Sequence, residues 1–331
     1  DAMNGFCMQE TTFPFVCTIM DDASTDGEPE VIKKYLQEHF DLDNKAMVRN
    51  EETDDYVMTF AQHKTNKNCY FAVYFLKYNH YSIKKSKIPY IQEWQDQVKY
   101  IALCEGDDYW IAPDKLPKQY DFLENHSEYV AAGCNYINVE SDGSHPSVFL
   151  IKCETNKTYS LKHFLRFGFK IHGNSLLFRA SYLQTDDRYI KLRKSVNMMG
   201  DIVTRTLLYD KGYIYVFREV MLAHRRGDLD KNSFYYTSLT QAIQYSYEYC
   251  RIVDALEEYF DGKYNLSAMK ANRTGKMLAY IIQGRYKVDP HDLQVYMAGL
   301  PWNIRFLSFE RCLQNIVVAF IRKIARRLKW Y

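Results

Sequence analysis

Short apolar runs that end in acidic turns, each followed by a helical pattern, recur along the first two thirds of the chain. Residues 13–20 predict a buried strand, and apolar side chains at three- and four-residue steps over 31–40 predict a helix after it. The run 98–104 repeats this arrangement, with a helical pattern after Pro113 and Asp114. Strand, acidic loop and helix in this order form the building block of a parallel α/β sheet. The pattern also predicts strands over 129–139, 174–178 and 213–223, and a helix over 201–212.

Two parts of the chain depart from this pattern. Residues 50–97 are dense in Tyr, Lys and Asn and predict an inserted lobe or a long excursion of the chain. After residue 237 the strand patterns fade, and helical periodicity continues to Tyr331. We therefore predict an α/β domain over 1–237 with a long insertion around 50–97, and a helical C-terminal extension over 238–331.

Composition narrows the class of protein. Of 331 residues, 47% are apolar and 25% are charged, as in a folded protein, and the net charge of +2 argues against a nucleic-acid binder. The 29 tyrosines suit polar, ring-shaped ligands, although a compositional bias explains them equally well. Eight cysteines without a Cys-x-x-Cys pair predict reduced thiols in a cytoplasmic protein. No apolar run reaches the ~18 residues that a membrane-spanning helix needs.

Each of the first two predicted strands ends in an acidic pair. Asp21 and Asp22 follow the first strand, and Asp107 and Asp108 follow the second. Ligands bind at the carboxyl ends of parallel strands in open α/β sheets, so we expect both pairs to face one cleft. An acidic residue before a helix is often only a cap, which is the simpler interpretation of the first pair. Adjacent carboxylates repel each other, and a divalent cation shared with substrate phosphates would relieve that repulsion at the second pair.

Further polar residues stand at the ends of predicted elements. Asp201 opens a helix, either because the helix dipole favours an acid there or because it is a general base. His172 precedes a strand and His224 follows one, and lone histidines are more often structural than functional. Arg225 and Arg226 come next, and two adjacent arginines beside an acidic metal site can hold a diphosphate.

Five segments, in this order, resemble the motifs of family 2 glycosyltransferases. MDDASTDG, residues 20–27, resembles the first acidic motif, and YIALCEGDDYW, residues 100–110, resembles the metal-binding acidic motif. HGNSLLFR, residues 172–179, is similar to the acceptor-side strand. MGDIVTRTLLYDKG, residues 199–212, resembles the segment with the catalytic base, and VMLAHRRGD, residues 220–228, resembles the late basic motif. Each match alone is weak, but five matches in order make the resemblance specific.

The resemblance implies a GT-A fold, a Rossmann-like α/β sheet that binds a nucleotide diphosphate sugar. It implies a bacterial enzyme of cell-envelope polysaccharide synthesis that transfers a sugar with inversion to a hydroxyl of a glycan or lipid-linked acceptor. The cofactor would be Mg²⁺ or Mn²⁺, and the donor is expected to be UDP-linked. By resemblance, Asp201 is the catalytic base and Asp108 and Asp107 bind the metal. The residues expected to bind the donor are Asp21, Asp22, Asp107 (at the ribose), His172, Arg225 and Arg226.

The chain departs from the family pattern in three places. The family's first strand and early nucleotide-binding loop are expected before Asp1 and are not in this sequence. The segment between Asp22 and Asp107 is longer than usual. The Q-x-x-R-W pattern of processive synthases is missing, which favours the addition of a single sugar.

Two other functions stay open. The start at Asp1 favours a catalytically impaired protein that binds sugar nucleotides or takes part in an assembly. A Mg²⁺-dependent phosphohydrolase of the haloacid-dehalogenase type would also use acids at strand ends. Residues 21–24 lack the D-x-D-x-T/V motif that such an enzyme needs.

The C-terminal residues predict an amphipathic helix. Basic residues Arg311, Arg322, Arg326 and Lys329 fall on one side of it, and no acid follows Glu310. Two interpretations fit equally well: residues 309–331 lie on an anionic membrane at the inner face of the cell membrane, or the apolar face packs on the α/β domain. The residues of that apolar face are Phe309, Leu313, Ile316, Val317, Phe320, Ile321, Ile324 and Leu328.

Overall fold

The computed structural model describes residues 1–140, 142–144, 157–167, 171–184, 187–196, 200–225 and 241–327. The chain folds into a mixed α/β structure, as the sequence predicts. Its strands are β1 (Phe15–Asp21), β2 (Arg49–Glu52), β3 (Tyr56–Gln62), β4 (Cys69–Leu76), β5 (Tyr100–Ala102), β6 (Tyr109–Trp110), β7 (Tyr129–Val139), β8 (Lys157–Tyr159), β9 (Leu177–Arg179) and β10 (Tyr213–Arg225). Its helices are α1 (Ala2–Cys7), α2 (Glu28–His39), α3 (Ile88–Gln95), α4 (Lys115–Asn125), α5 (Leu161–Phe167), α6 (Ser181–Gln184), α7 (Asp187–Ser195), α8 (Gly200–Lys211), α9 (Ala242–Tyr259), α10 (Ser267–Ile282), α11 (Pro290–Gly299) and α12 (Trp302–Arg327).

The first sheet has the strand order β1-β4-β3-β2. β1 lies parallel to β4, and β3 pairs antiparallel with β4 and β2. The eight residues of β4 are all apolar and mostly buried, as expected for a central strand covered on both faces. After β1, Gly27 adopts a φ of 91° and Pro29 lies in the first turn of α2. The strand, acidic loop and helix predicted over 13–40 are confirmed.

Residues 50–97 belong to this sheet. β3 and β4 both lie in the segment, and β4 is the direct neighbour of β1. The aromatic residues that give the segment its unusual composition are packed against the sheet: Tyr74 is buried, and Tyr90 and Trp94 of α3 lie beside it. The segment is therefore an integral part of the first sheet and does not form a separate lobe, and Tyr74 belongs to its core.

The second sheet has the order β5-β9-β7-β10-β6, with β8 beside β10. β7 and β10 are parallel neighbours, whereas β9 lies antiparallel to both β5 and β7. The strands predicted over 98–104, 129–139, 174–178 and 213–223 are present, three of them with different ends. The helix predicted over 201–212 is α8, which Gly212 follows.

The two acidic pairs do not follow neighbouring parallel strands. β1 lies in the first sheet and β5 in the second, where β5 pairs antiparallel with β9. The prediction that both acidic pairs lie at one edge of a single parallel sheet is wrong. An apolar run indicates a strand but does not specify which strand it pairs with. β5 is also only three residues long, which leaves little pairing surface to recognise in sequence.

α1 joins the two sheets. The ring of Phe6 lies 4.9 Å from that of Trp110 in the second sheet and 6.3 Å from that of Phe71 in the first. The buried side chain of Gln9 donates to the carbonyl of Ala112 (2.9 Å) and accepts from the N–H of Leu116 (3.0 Å). The N-terminal residues are thus tied to the chain directly after the second acidic pair.

All regular secondary structure described after residue 241 is helical. Ile252, Val253 and Leu256 of α9 share a core with Val130 and Ile214 of the second sheet. α10 and α12 pack closely against each other. None of the described helices combines the length and the apolar character needed to cross a membrane.

Gly275 allows the close approach of α10 and α12, and its smallest replacement should be costly. A Cβ at this position would lie 2.5 Å from the Cβ of Arg311 and 2.7 Å from the carbonyl oxygen of Ser308. We expect Gly275→Ala to lower the free energy of unfolding by about 1–3 kcal/mol, the usual cost of overpacking, despite the better helix propensity of alanine. Urea denaturation measures this difference. Gly299→Ala is the control, because a Cβ there meets nothing within 4 Å; equal stability of the two variants would contradict the close approach.

Candidate functional site

Asp108 is the centre of a buried polar cluster just before β6. Its side chain is fully buried, and its backbone N–H donates to the carbonyl of Glu105 (3.1 Å). Its Oδ1 accepts from the backbone N–H of Arg225 (2.9 Å) and lies 3.0 Å from Nδ1 of His224. Its Oδ2 accepts from Nδ2 of Asn174 (2.7 Å). A buried carboxylate needs this set of partners, since an unpaired buried charge is very costly.

The turn that carries Asn174 is held firmly against the second sheet. Gln119 of α4 donates to the carbonyl of Ser175 at 2.8 Å, and the indole N–H of Trp110 donates to the carbonyl of Asn174 at 3.3 Å. Gly133 of β7 leaves room for the turn, because a Cβ there would lie 3.3 Å from the Ser175 hydroxyl. The amide of Asn174 is therefore fixed in place before any ligand binds.

Two histidines flank the carboxylate of Asp108. His224 lies near the end of β10 and His172 directly before the turn, with their rings 4.4 Å apart. Nδ1 of His172 is 3.9 Å from Oδ2 of Asp108. Burial and the neighbouring His224 lower the pKa of His172 to about 4. Its imidazole is therefore neutral at pH 7 and can offer a lone pair to a metal ion.

Three carboxylates lie close together around Asp108. Burial raises the pKa of Glu105, and the charges of Asp107 and Asp108 raise it further. Burial and the charge of Asp108 also raise the pKa of Asp107. Burial would raise the pKa of Asp108 too, but the hydrogen bonds from His224 and Asn174 lower it below its usual value. The repulsion expected between the adjacent acids is present, and a cation would relieve it.

Asp108, His172 and His224 fit a divalent metal ion. One ligand atom from each lies within 4.8 Å of the other two. Ligands on opposite sides of an ion at ~2.1 Å are ~4.2 Å apart, so small side-chain rotations would bring all three into range. A mixed nitrogen and oxygen donor set suits first-row ions such as Mn²⁺ better than Mg²⁺, which prefers oxygen ligands. Of the two predicted metal ligands, Asp108 is in this group, and Asp107 lies beside it.

Asp201 lies at the edge of the same cluster, at the start of α8. Its side chain is 49% exposed and is held by Arg205 one turn later. Arg205 also donates to the carbonyl of Ile171 (3.1 Å), the residue before His172. Asp201 is therefore linked through Arg205 to the residue before His172, and it is open to solvent.

The first acidic pair organises another part of the molecule. Asp21 is buried and accepts from the N–H of Ser24 (3.3 Å), which is the role of a turn cap. Asp22 accepts from the N–H of His80 (2.7 Å) and pairs with Lys87 (2.9 Å), so it holds the segment between β4 and α3. Burial opposes its ionisation, but these hydrogen bonds keep the pKa of Asp22 below its usual value. No described side chain hydrogen-bonds to both acidic pairs.

Arg225 donates its backbone N–H to Asp108, and its charge acts against the burial that raises the pKa of Asp107. Its Nη2 pairs with the carboxylate of Asp1 (2.6 Å), and its guanidinium lies 5.5 Å from the ring centre of Tyr109. Its Nε is buried and has no hydrogen-bond partner among the described residues. Arg226, the other predicted member of the pair, lies outside the described residues.

The structure brings together most of the site residues that the sequence predicts, and it places three further residues in the same cluster. The three that sequence reasoning missed are Glu105, Asn174 and His224. His224 had a signal, because it stands at a strand end directly before two arginines, but a lone histidine is usually structural. The selected residues that meet here are Asp107, Asp108, His172, Asp201 and Arg225.

Comparison with known proteins gives relatives but no activity. No family model matches the chain. The chain is similar to uncharacterized mycobacterial proteins, one from Mycobacterium bovis and one from each of two strains of Mycobacterium tuberculosis. Each is 29% identical to it over 149 residues, which are 45% of this chain and 34% of the relative. The chain thus matches about a third of the length of these curated relatives.

Proposed function

We propose that the protein is a metal-dependent, inverting glycosyltransferase with a GT-A fold. It would transfer one sugar from a nucleotide diphosphate sugar to a hydroxyl of a glycan or lipid-linked acceptor. The observation that carries the proposal is the convergence of Asp108, His172 and His224 from three separate segments. Arg205 links Asp201 to the residue before His172. The resemblance to family 2 glycosyltransferases assigns the metal, the ribose and phosphates of the donor, and the catalytic base to this same region.

Asp108, His172 and His224 would hold the metal ion. When bound, the ion neutralises negative charge that grows on the diphosphate leaving group. The resemblance assigns Arg225 to the same phosphates, which would replace the carboxylate of Asp1 on its guanidinium. Its backbone N–H, bound to Asp108, keeps the end of β10 against the carboxylate. We assign Asp107, which is close but outside the three-ligand group, to the donor ribose.

Asp201 would accept the proton of the acceptor hydroxyl. A hydroxyl is a weak nucleophile until a positioned carboxylate removes its proton. Asp108 cannot do this because it is buried, whereas the half-exposed carboxylate of Asp201 can meet an acceptor that arrives from solvent. Arg205 orients the carboxylate of Asp201. Attack from the side opposite the leaving group inverts the sugar in a single displacement.

Asp22 would take part in binding the nucleotide base. Its two oxygens already accept from the N–H groups of His80 and Tyr81 and from Lys87. A carboxylate has about four acceptor positions, so about one remains. That position fits the single ring N–H of uracil, which agrees with the expectation of a UDP-linked donor.

The proposed location is the cytoplasm. The cysteines within the described residues are free, as expected in a reducing compartment. The proposed reaction uses a nucleotide sugar as its donor, and the proposal places this donor in the cytoplasm as well.

A thermal-shift screen tests the function. A panel of nucleotide diphosphate sugars is added with Mn²⁺, with Mg²⁺ and with EDTA. A ligand at 100 times its dissociation constant should add ~2.7 kcal/mol of stability. We expect one nucleotide class to stabilise the protein only when the metal is present. Two histidines with one carboxylate also bind Fe²⁺ and Zn²⁺ in other proteins, so stabilisation by those ions with no response to any nucleotide would contradict the proposal.

A further inference from the structure

α12 buries one face and leaves an apolar face uncovered. Towards α10 it packs through Ile304, Ser308 and Cys312, which are all buried. On the opposite side, large apolar side chains that are each more than half exposed follow one another along the helix. This exposed α12 face consists of Trp302, Phe306, Phe309, Leu313, Val317 and Phe320.

The exposed α12 face is a continuous stripe. Its members recur at three- and four-residue steps, so at about 100° per residue they stay on one side of the helix. From Trp302 to Phe320 the stripe is about 27 Å long at 1.5 Å per residue. Apolar patches of this kind on a protein surface mark interaction sites. The alternative in which this face packs on the α/β domain is wrong for these residues, because the helix packs through its other side.

The charged residues of α12 are concentrated at its C-terminal end. Glu310 is its one acid, and basic residues fill its last two turns. Those basic residues are Arg322, Lys323, Arg326 and Arg327. The helix therefore joins a stripe of aromatic and aliphatic side chains to a strongly cationic end.

We propose that the exposed α12 face docks on the surface of an anionic lipid bilayer, with the helix lying in the plane of the interface. Aromatic and aliphatic side chains on one face with basic residues beside them are the features of interfacial helices. An anionic membrane supplies charge complementary to the basic end. A second copy of the chain does not supply such charge. Whether the two α12 helices paired parallel or antiparallel, the basic turns of one would lie against a helix that has a single acid.

Vesicle sedimentation tests the docking, and it requires neither a metal nor a nucleotide sugar. The probes are vesicles of phosphatidylcholine with phosphatidylglycerol and vesicles of phosphatidylcholine alone. We expect the parent protein to sediment with the anionic vesicles at low salt. High salt should release it, since the Debye length falls from ~10 Å at 0.1 M to ~3 Å at 1 M.

A pair of double variants separates the α12 face from general stickiness. Phe309→Ser with Leu313→Ser removes two exposed side chains from the stripe, and we expect it to lower the partition coefficient at least about tenfold. Val31→Ser with Tyr213→Ser removes side chains of similar exposure elsewhere and should partition like the parent. Circular dichroism verifies that both variants are folded, which is expected because none of the four side chains is buried.

Three results would overturn the proposal. The first is equal partitioning of the α12 variant and the parent at low salt. The second is equal binding to neutral and anionic vesicles. The third is a dimer that forms without lipid, is lost in the α12 variant and does not bind vesicles, which would assign the face to a second copy.

Discussion

Replacement of Asp108 by asparagine should abolish high-affinity metal binding. The substitution keeps the shape of the side chain but removes the charge at the centre of the three-residue group with His172 and His224. Changes to outer partners of metal sites already cost 10–100-fold in affinity, so loss of a direct ligand should cost roughly 100-fold or more. Titration with Mn²⁺, followed by electron paramagnetic resonance of the free ion, measures the affinity.

The structure also sets the controls for this result. Arg225 and Asn174 both donate to Asp108, so the new amide N–H₂ would face a donor and cost about 1–3 kcal/mol of stability. His172→Gln is a second variant that removes a ligand without breaking those hydrogen bonds, and it should also weaken Mn²⁺ binding. Asp107→Asn should weaken Mn²⁺ binding much less than either of these variants, because Asp107 is outside the three-ligand group. Parent-like affinity in both the Asp108 and His172 variants would show that the ion binds elsewhere.

Replacement of Asp201 by asparagine should lower turnover by roughly 100-fold or more, the usual scale for loss of a general base. The asparagine oxygen can still accept from Arg205, so the start of α8 should keep its position. Donor affinity should be unchanged, because Asp201 lies at the edge of the cluster. Steady-state rates and donor titrations together distinguish a loss of chemistry from a loss of binding.

Asp210→Asn is the matched control for Asp201, because Asp210 lies in the same helix and pairs with Lys263 and Tyr264. It should change stability but not turnover. If Asp201→Asn retained the parent rate, another group would be the base, and His172 would be the next residue to replace.

The local elements were predictable from sequence because local patterns determine them. The acidic loop before α2 has Gly27 where a positive φ is needed and Pro29 in the first helical turn. The strand over 129–139 has the observed ends, since its apolar run is bounded by polar turns. These features depend on residues close together in the chain.

The pairing of strands and part of the site were not predictable in this way. β4 is buried beside β1. Its tyrosines and phenylalanines contribute to a composition that, taken alone, suggests a surface lobe. Asn174 joins the site because Gln119 and Gly133, both distant in sequence, fix its turn. Such contacts depend on the tertiary fold, and no local pattern specifies them. The exposure of the α12 face likewise depends on the tertiary fold, because Gly275 allows α10 to pack against the opposite side of α12.

The most direct test of the proposed function is the release of nucleoside diphosphate from nucleotide sugars, with water taking the sugar in place of the acceptor. A coupled assay measures this release over a panel of donors. The proposal predicts release from one class of donor, with Mn²⁺ present, abolished by EDTA and absent in the Asp108→Asn variant. Release that is unaffected by EDTA, or no release from any donor by folded protein with Mn²⁺ bound, would contradict metal-dependent sugar transfer at this site.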